Sequence, residues 1–76
     1  MRIQLEVYLE FRGQRVWKGE EEVPPGITPA GLLAHLGLDG RPDLAVIVDG
    51  RYWPETDPIP EGAEVAVLRR SEGGGR

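Results

Sequence analysis

Ten consecutive residues near the start of the chain alternate without a fault. Ile3, Leu5, Val7, Leu9 and Phe11 are apolar, and Arg2, Gln4, Glu6, Tyr8 and Glu10 stand between them. A period of two over residues 2–11 predicts a strand with one face on a core and the other in water. A sheet half-buried in this way needs something apolar laid on its inner face. The rest of the chain is read for what covers that face.

Arg12-Gly13-Gln14-Arg15 reads as a turn and Val16 to Val23 as the returning strand, with Trp17 and Val23 at inward parity. Glu20-Glu21-Glu22 disfavours a strand locally, because glutamate is a poor strand former. On a strand these three carboxylates alternate faces, which predicts a solvated acidic patch and not a cation site. Pro24-Pro25-Gly26 ends the pattern. Thr28 then stands where an N-cap belongs and Pro29 at the first helical position. Leu32, Leu33 and Leu36 form a stripe at helical spacing, and Gly37 followed by Leu38 has the form of a helix stop. These caps predict a helix of about 8–9 residues, too short to persist without packing.

Arg41-Pro42-Asp43 reads as loop. Leu44 to Val48 is an apolar run ending at Asp49-Gly50, a hairpin turn signal, and Tyr52-Trp53-Pro54 is a short return strand stopped by proline. Val65 to Arg69 is the last strand, apolar enough for a central position. The order β-β-α-β-β-β predicts an α+β fold of the β-grasp type, a mixed sheet of four to five strands gripping one short helix. Residues 1–70 form that domain, and residues 71–76, Ser-Glu-Gly-Gly-Gly-Arg, form a flexible tail with no side chains to pack at its glycines. The expected core is Ile3, Leu5, Val7, Leu9, Trp17, Val23, Leu32, Leu33, Leu36, Val46, Val48, Ile59, Val65 and Val67. On that reading Leu33→Ala costs about 2–5 kcal/mol.

Composition removes whole classes of chemistry. The chain has no cysteine, hence no disulfide, thiolate metal site or cysteine nucleophile, and a single histidine does not make a zinc cluster. The lone His35 has no evident acid or nucleophile beside it in sequence and is expected on the exposed side of the helix. Thirteen acidic against nine basic residues leave a net charge of −4, which argues against nucleic acid or an anionic membrane as partner and for a basic protein surface. No apolar stretch is long enough to span a bilayer, and the start lacks a signal-peptide layout, so a cytoplasmic location is expected. The triple glycine lacks the strand-loop-helix context and the following lysine of a phosphate-binding loop.

Three segments, in order and ahead of the glycine tail, resemble the ubiquitin-like sulfur-carrier family typified by ThiS and MoaD. They are Thr28 to Leu38, similar to that family's Thr-x-x-x-Leu-Leu-x-x-Leu-Gly-Leu helix; Val46 to Pro54, similar to its Val-Ala-Val-Asn-Gly-x-x-Val-Pro segment; and Ile59 to Val65, similar to its Leu-x-x-Gly-Asp-x-Val turn. Two departures stand out. Ala63 replaces the aspartate after the glycine, which removes a turn hydrogen bond. Arg76 follows the glycines where the family ends on Gly-Gly.

The resemblance implies a carrier and not an enzyme, with no bound cofactor, metal or catalytic residue. A partner adenylyltransferase uses ATP to join AMP to the terminal glycine, and a sulfur donor protein converts the adenylate to a thiocarboxylate. A thiazole synthase or another acceptor then takes the sulfur. The short link from Asp39 to Asp43 favours thiamin thiazole synthesis over molybdopterin or tRNA thiolation. Gly75 and Gly74 are the candidate adenylation and thiocarboxylate residues, Gly73 the tail that threads into the partner, and a processing protease removes Arg76. Glycine suits a narrow channel, having no Cβ and either sign of φ. Exposed Tyr8 and Tyr52, with Arg69 and Arg70 at the tail root, are the candidate docking residues. Two alternatives use the same residues differently: a modifier joined to target lysines through its glycine, or a β-grasp binding module whose tail is never activated. As a modifier, the chain's only lysine, Lys18, restricts lysine-linked chains of itself.

Overall fold

The computed structural model describes residues 1–70. Its elements are β1 (Arg2–Val7), β2 (Trp17–Glu22), α1 (Pro29–His35), β3 (Leu44–Val48), β4 (Arg51–Tyr52) and β5 (Glu64–Arg69). They form one five-stranded sheet in the order β2-β1-β5-β3-β4. β5 is parallel to β1 and antiparallel to β3, so the last strand is central, as its apolar run predicts.

Both hairpins and the helix obey their local signals. Asp49 and Gly50 take φ of 51° and 83°, the left-handed pair that a two-residue turn between β3 and β4 requires. The Thr28 hydroxyl accepts from the Gly31 amide at 3.1 Å, capping α1. At the other end the Leu38 amide donates to the Leu33 carbonyl at 2.8 Å and the Gly37 amide to the Ala34 carbonyl at 3.1 Å, with Gly37 at φ 76°. That double bond pattern closes the helix within seven residues and folds Leu38 back into the core.

One face of the sheet is packed. Rows of paired residues run across it, Gly19-Leu5-Val65-Val48 and Trp17-Val7-Val67-Val46, and α1 lays Leu32 and Leu36 on them. Leu32 is fully buried, whereas Leu33 and Trp17 pack against the core while only partly buried. The helix turns its Leu32-Leu36 edge to the sheet, which leaves Leu33 at the rim. Phe11, Leu38, Leu44 and Ala63 join the core beyond the expected set. Ala63 is buried, and the neighbouring Glu64 amide donates to Asp49 Oδ1 at 2.9 Å.

The strand expected over residues 2–11 stops at Val7. Arg12 and Gly13, with φ of 52° and 80°, turn the chain back on itself, and Phe11 bridges Gln14. The reason is an aromatic clasp. Phe11 meets Trp17 edge-on at 5.9 Å, and the Arg12 guanidinium lies 4.7 Å and 4.8 Å from the two rings. The Trp17 indole in turn lies so close over Gly19 that a Cβ there would meet it at 3.0 Å. This explains a glycine in the middle of a strand.

The three glutamates do not form a merely solvated patch. Glu20 and Glu22 face outward, where Arg2 reaches both at 3.6 and 3.3 Å, while Glu21 turns inward and takes a two-pronged bond from Arg12 at 3.0 Å. Nor is His35 alone: its Nε2 lies 3.5 Å from Glu21 Oε2, an acid brought to it across the fold from β2. Chiefly through the Arg12 hydrogen bonds, the Glu21 carboxyl is held below the usual carboxylate range. A group depressed in the folded state adds stability above its unfolded pKa of about 4.3, and that stability is lost as pH falls through the folded value. Glu21→Gln is therefore expected to lower the melting temperature at pH 6 and to converge on wild type as pH falls through the folded value, with a thermal series from neutral to acid pH as the check. A constant gap across the series would show that the pair contributes nothing through charge.

Candidate functional site

The second face of the sheet carries the candidate site. Strand pairing sets one continuous row across all five strands, Lys18-Glu6-Ala66-Ile47-Tyr52. The next row toward the end of β5 holds Leu68 paired with Ala45, and beside them Tyr8, whose amide donates to the Val67 carbonyl at 2.8 Å. Alternation puts all of these opposite the helix, since Val7, Val46 and Val67 take the inward positions. No helix covers Tyr8, Ala66, Ile47 or Tyr52, whereas Ala45 is buried and lines a cavity with Pro29, Ala30 and Leu33. Tyr8 is 43% exposed and Tyr52 75% exposed.

The structure thus brings Tyr8 and Tyr52 to one face, at opposite margins of an apolar strip of Leu68, Ala66 and Ile47. Those three were not among the sequence candidates. The parity of β5 and β3 carries their signal, but an unbroken apolar run hides which members point outward. The Tyr8 hydroxyl donates to the Glu6 carboxylate, and this bond to an anion raises the phenol above its ordinary pKa. The bond ties the Tyr8 ring back along its own strand toward Glu6.

Arg69 and Arg70 are exposed at the end of β5, but they do not form one patch. Arg69 pairs with Leu44 at the helix-side parity, while Arg70 lines a cavity of about 130 Å³ with Leu33, Trp53 and Tyr52. The Arg70 amide donates to the Asp43 carbonyl at 2.7 Å, so the backbone is held until the last described residue. Of the docking candidates, Tyr52 and Arg70 are therefore neighbours, and Arg69 stands apart from them. The remaining candidates, Gly73, Gly74 and Gly75, and the Arg76 that follows them, lie outside the described residues. The described part ends at Arg70, one residue past the central strand.

Among the described residues no group of three or more histidine, cysteine or acidic side chains is disposed to hold a metal ion. No helix among them is long and apolar enough to cross a membrane.

Comparison with solved structures finds the same architecture in archaeal proteins. The crystal structure of SAMP1 from Haloferax volcanii superposes with a TM-score of 0.66 at 16% identity, covering 97% of this chain and all of the other. The solution structure of the Haloferax volcanii HVO 2177 protein gives 0.67 at 23% identity, over 97% of this chain and 87% of that one. A ubiquitin-like protein from Caldiarchaeum subterraneum gives 0.57 at 20% identity, over 96% and 100%. At these identities the likeness is one of fold, the ubiquitin-like β-grasp. No curated protein matches by sequence. The ThiS family model, in contrast, matches residues 8–74, from the exposed Tyr8 through the helix and the central strand and on into the glycines. With nearly its whole length matched, the chain belongs to the ThiS family.

Proposed function

We propose that this protein is a sulfur carrier whose terminal glycine, exposed by removal of Arg76, is adenylated by a partner enzyme and converted to a thiocarboxylate. The observation that carries the reading is the ThiS-family match running through the fold into the tail as far as residue 74. Proteins of this kind are carriers or modifiers and not enzymes. Thiamin thiazole synthesis is the favoured destination of the sulfur, on the short Asp39 to Asp43 link.

The chemistry divides between partners. A carboxylate resists attack because it is anionic and its oxygen leaves poorly. Joining it to AMP supplies a leaving group, and a persulfide sulfur then displaces AMP from the glycyl carbon. This chain's own contribution is presentation. The Tyr8-Leu68-Ala66-Ile47-Tyr52 strip docks on the activating enzyme, its apolar centre desolvated and its margins aromatic. Arg70, beside Tyr52, adds a cation for an acidic rim. With the strip docked, the end of β5 points the tail at the partner's active site.

The test is incubation with ATP, the cognate adenylyltransferase and a persulfide donor, followed by intact mass. The expected product carries sulfur in place of one terminal oxygen. An isopeptide-linked adduct without thiocarboxylate would transfer the conclusion to the modifier reading, and no adenylate at all would leave a binding module.

A further inference from the structure

We propose that a depression in the open face of the sheet takes an arginine side chain from the partner protein that docks there. The proposal deepens the docking reading above and rests on it.

Three observations carry it. The first is shape. Between β1, β5 and the start of β4 the face sinks into a cavity of about 360 Å³. One water occupies roughly 30 Å³ in the liquid, so the end of a long side chain has room there. Ala66 and Ile47, both half-buried, give the cavity apolar surface, and Glu6 and Glu64 give it carboxylates.

The second is charge. Arg2 reaches Glu20 and Glu22 at 3.6 and 3.3 Å, and the Gln4 side-chain amide donates to Glu20 at 3.2 Å. Those two outward acids are answered within the fold. Glu6 and Glu64 are not. One oxygen of Glu6 accepts from the Tyr8 hydroxyl, and among the described residues neither carboxylate has a cation beside it. Lys18 lines the same cavity and is level with Glu6 on the next strand, yet it forms no ion pair with either acid among the described residues. Two carboxylates against one lysine leave the depression anionic, which calls for a cation from outside.

The third is spacing. Gln4 pairs with Glu64 and Glu6 with Ala66, so the two acids stand on adjacent strands, displaced by two residues. At about 3.3 Å per residue and 4.8 Å per strand, their backbones are about 8 Å apart. A single guanidinium between them can turn an N–H edge to each carboxylate. Its flat face then rests on Ala66 and Ile47. A guanidinium is weakly hydrated and suits that apolar contact, whereas an ammonium is a compact, strongly hydrated charge. The occupant is therefore arginine and not lysine.

The consequence is orientation. An apolar strip alone fixes where a partner sits but lets it rotate on the face. A charged anchor at Glu64, to one side of the strip, selects one rotation.

The test has two arms. In the first, isotope-labelled full-length protein is titrated with N-acetyl-arginine methylamide, with no partner present. Saturable amide shifts are expected at Gly19, Ile47, Gly50 and Ala66, which line the depression. Glu6→Gln and Glu64→Gln each weaken this binding about threefold, and Lys18→Gln strengthens it by removing a competing cation. Glu10→Gln, at an exposed acid beyond the other end of β1, leaves it unchanged. Shifts spread over the whole acidic surface, equal binding of N-acetyl-lysine methylamide, or equal weakening by Glu10→Gln would each overturn the proposal.

The second arm uses the cognate adenylyltransferase and the form ending at Gly75. Glu64→Arg is expected to raise KM for the carrier at least about fivefold at low salt, with kcat unchanged and the difference shrinking as salt is added. An unchanged KM, with wild type adenylated normally, overturns the proposal and leaves the carrier reading intact. Wild type that is not adenylated, with the arginine shifts in place, strikes the carrier reading while the site stands.

Discussion

Leu32→Ala is expected to lower the melting temperature by about 10 °C or more, the shift that a loss of about 2–5 kcal/mol produces in a domain of this size. Leu32 is fully buried, in the same core cluster as the fully buried Val7, Val48 and Val67. Nothing at its own position can collapse into the space without moving the helix, so the lost transfer energy and the cavity add. Seven residues of helix have little cohesion of their own. Small domains have about 5–15 kcal/mol in total, which makes this single contact a large fraction of it. Leu33→Ala, one position along, is expected to cost about 1 kcal/mol, because its side chain is only partly buried, at a cavity it lines with Trp53. Thermal unfolding of the two variants side by side checks the assignment. Equal losses would mean that the helix sits rotated from the orientation described.

The second large effect concerns activation. Full-length protein is expected to be adenylated at least about a hundredfold more slowly than the form ending at Gly75, since Arg76 places the acyl carbon one residue beyond its proper position. The arginine side chain also stands where a channel fitted to glycine has no room. The form ending at Gly74 is expected to fall between them, having a glycyl carboxylate but a shorter reach. ATP-dependent adenylation of the three forms by one enzyme, each verified by mass, is the measurement. Full-length protein that reacts as fast as the Gly75 form while retaining Arg76 would sink the processing step.

Much of the fold was legible because the signals that make it are local. Thr28, Pro29, Gly37 and Leu38 specify a helix start and stop through hydrogen bonds spanning a few residues. Asp49-Gly50 specifies a turn through its own φ angles. The alternation of residues 2–7 specifies a face. In each case neighbours in sequence are the interacting partners. The family resemblance rests on these same segments.

The misreadings share a different cause. Phe11 continues the alternation, yet it leaves the strand because Trp17 and Arg12 clasp it. Glu21 was read as solvated and His35 as unpartnered, yet they meet, because β2 and the end of the helix are neighbours only in space. Leu32 and Leu33 sit equally well on an apolar stripe, and only the direction of the sheet tells which is buried. The docking strip is the same kind of object: Leu68, Ala66 and Ile47 face outward by strand parity, but their union with Tyr8 and Tyr52 exists only once β5 lies between β1 and β3.

By itself, then, the sequence determined the elements, their order, the turn and cap residues and the family, all from interactions that span a few residues or from the pattern they leave. The tertiary structure alone decided which apolar residues are covered, which charges are paired, and that Tyr8 and Tyr52 share one face of the sheet. Those properties depend on contacts between residues far apart in sequence, which no local period or spacing encodes.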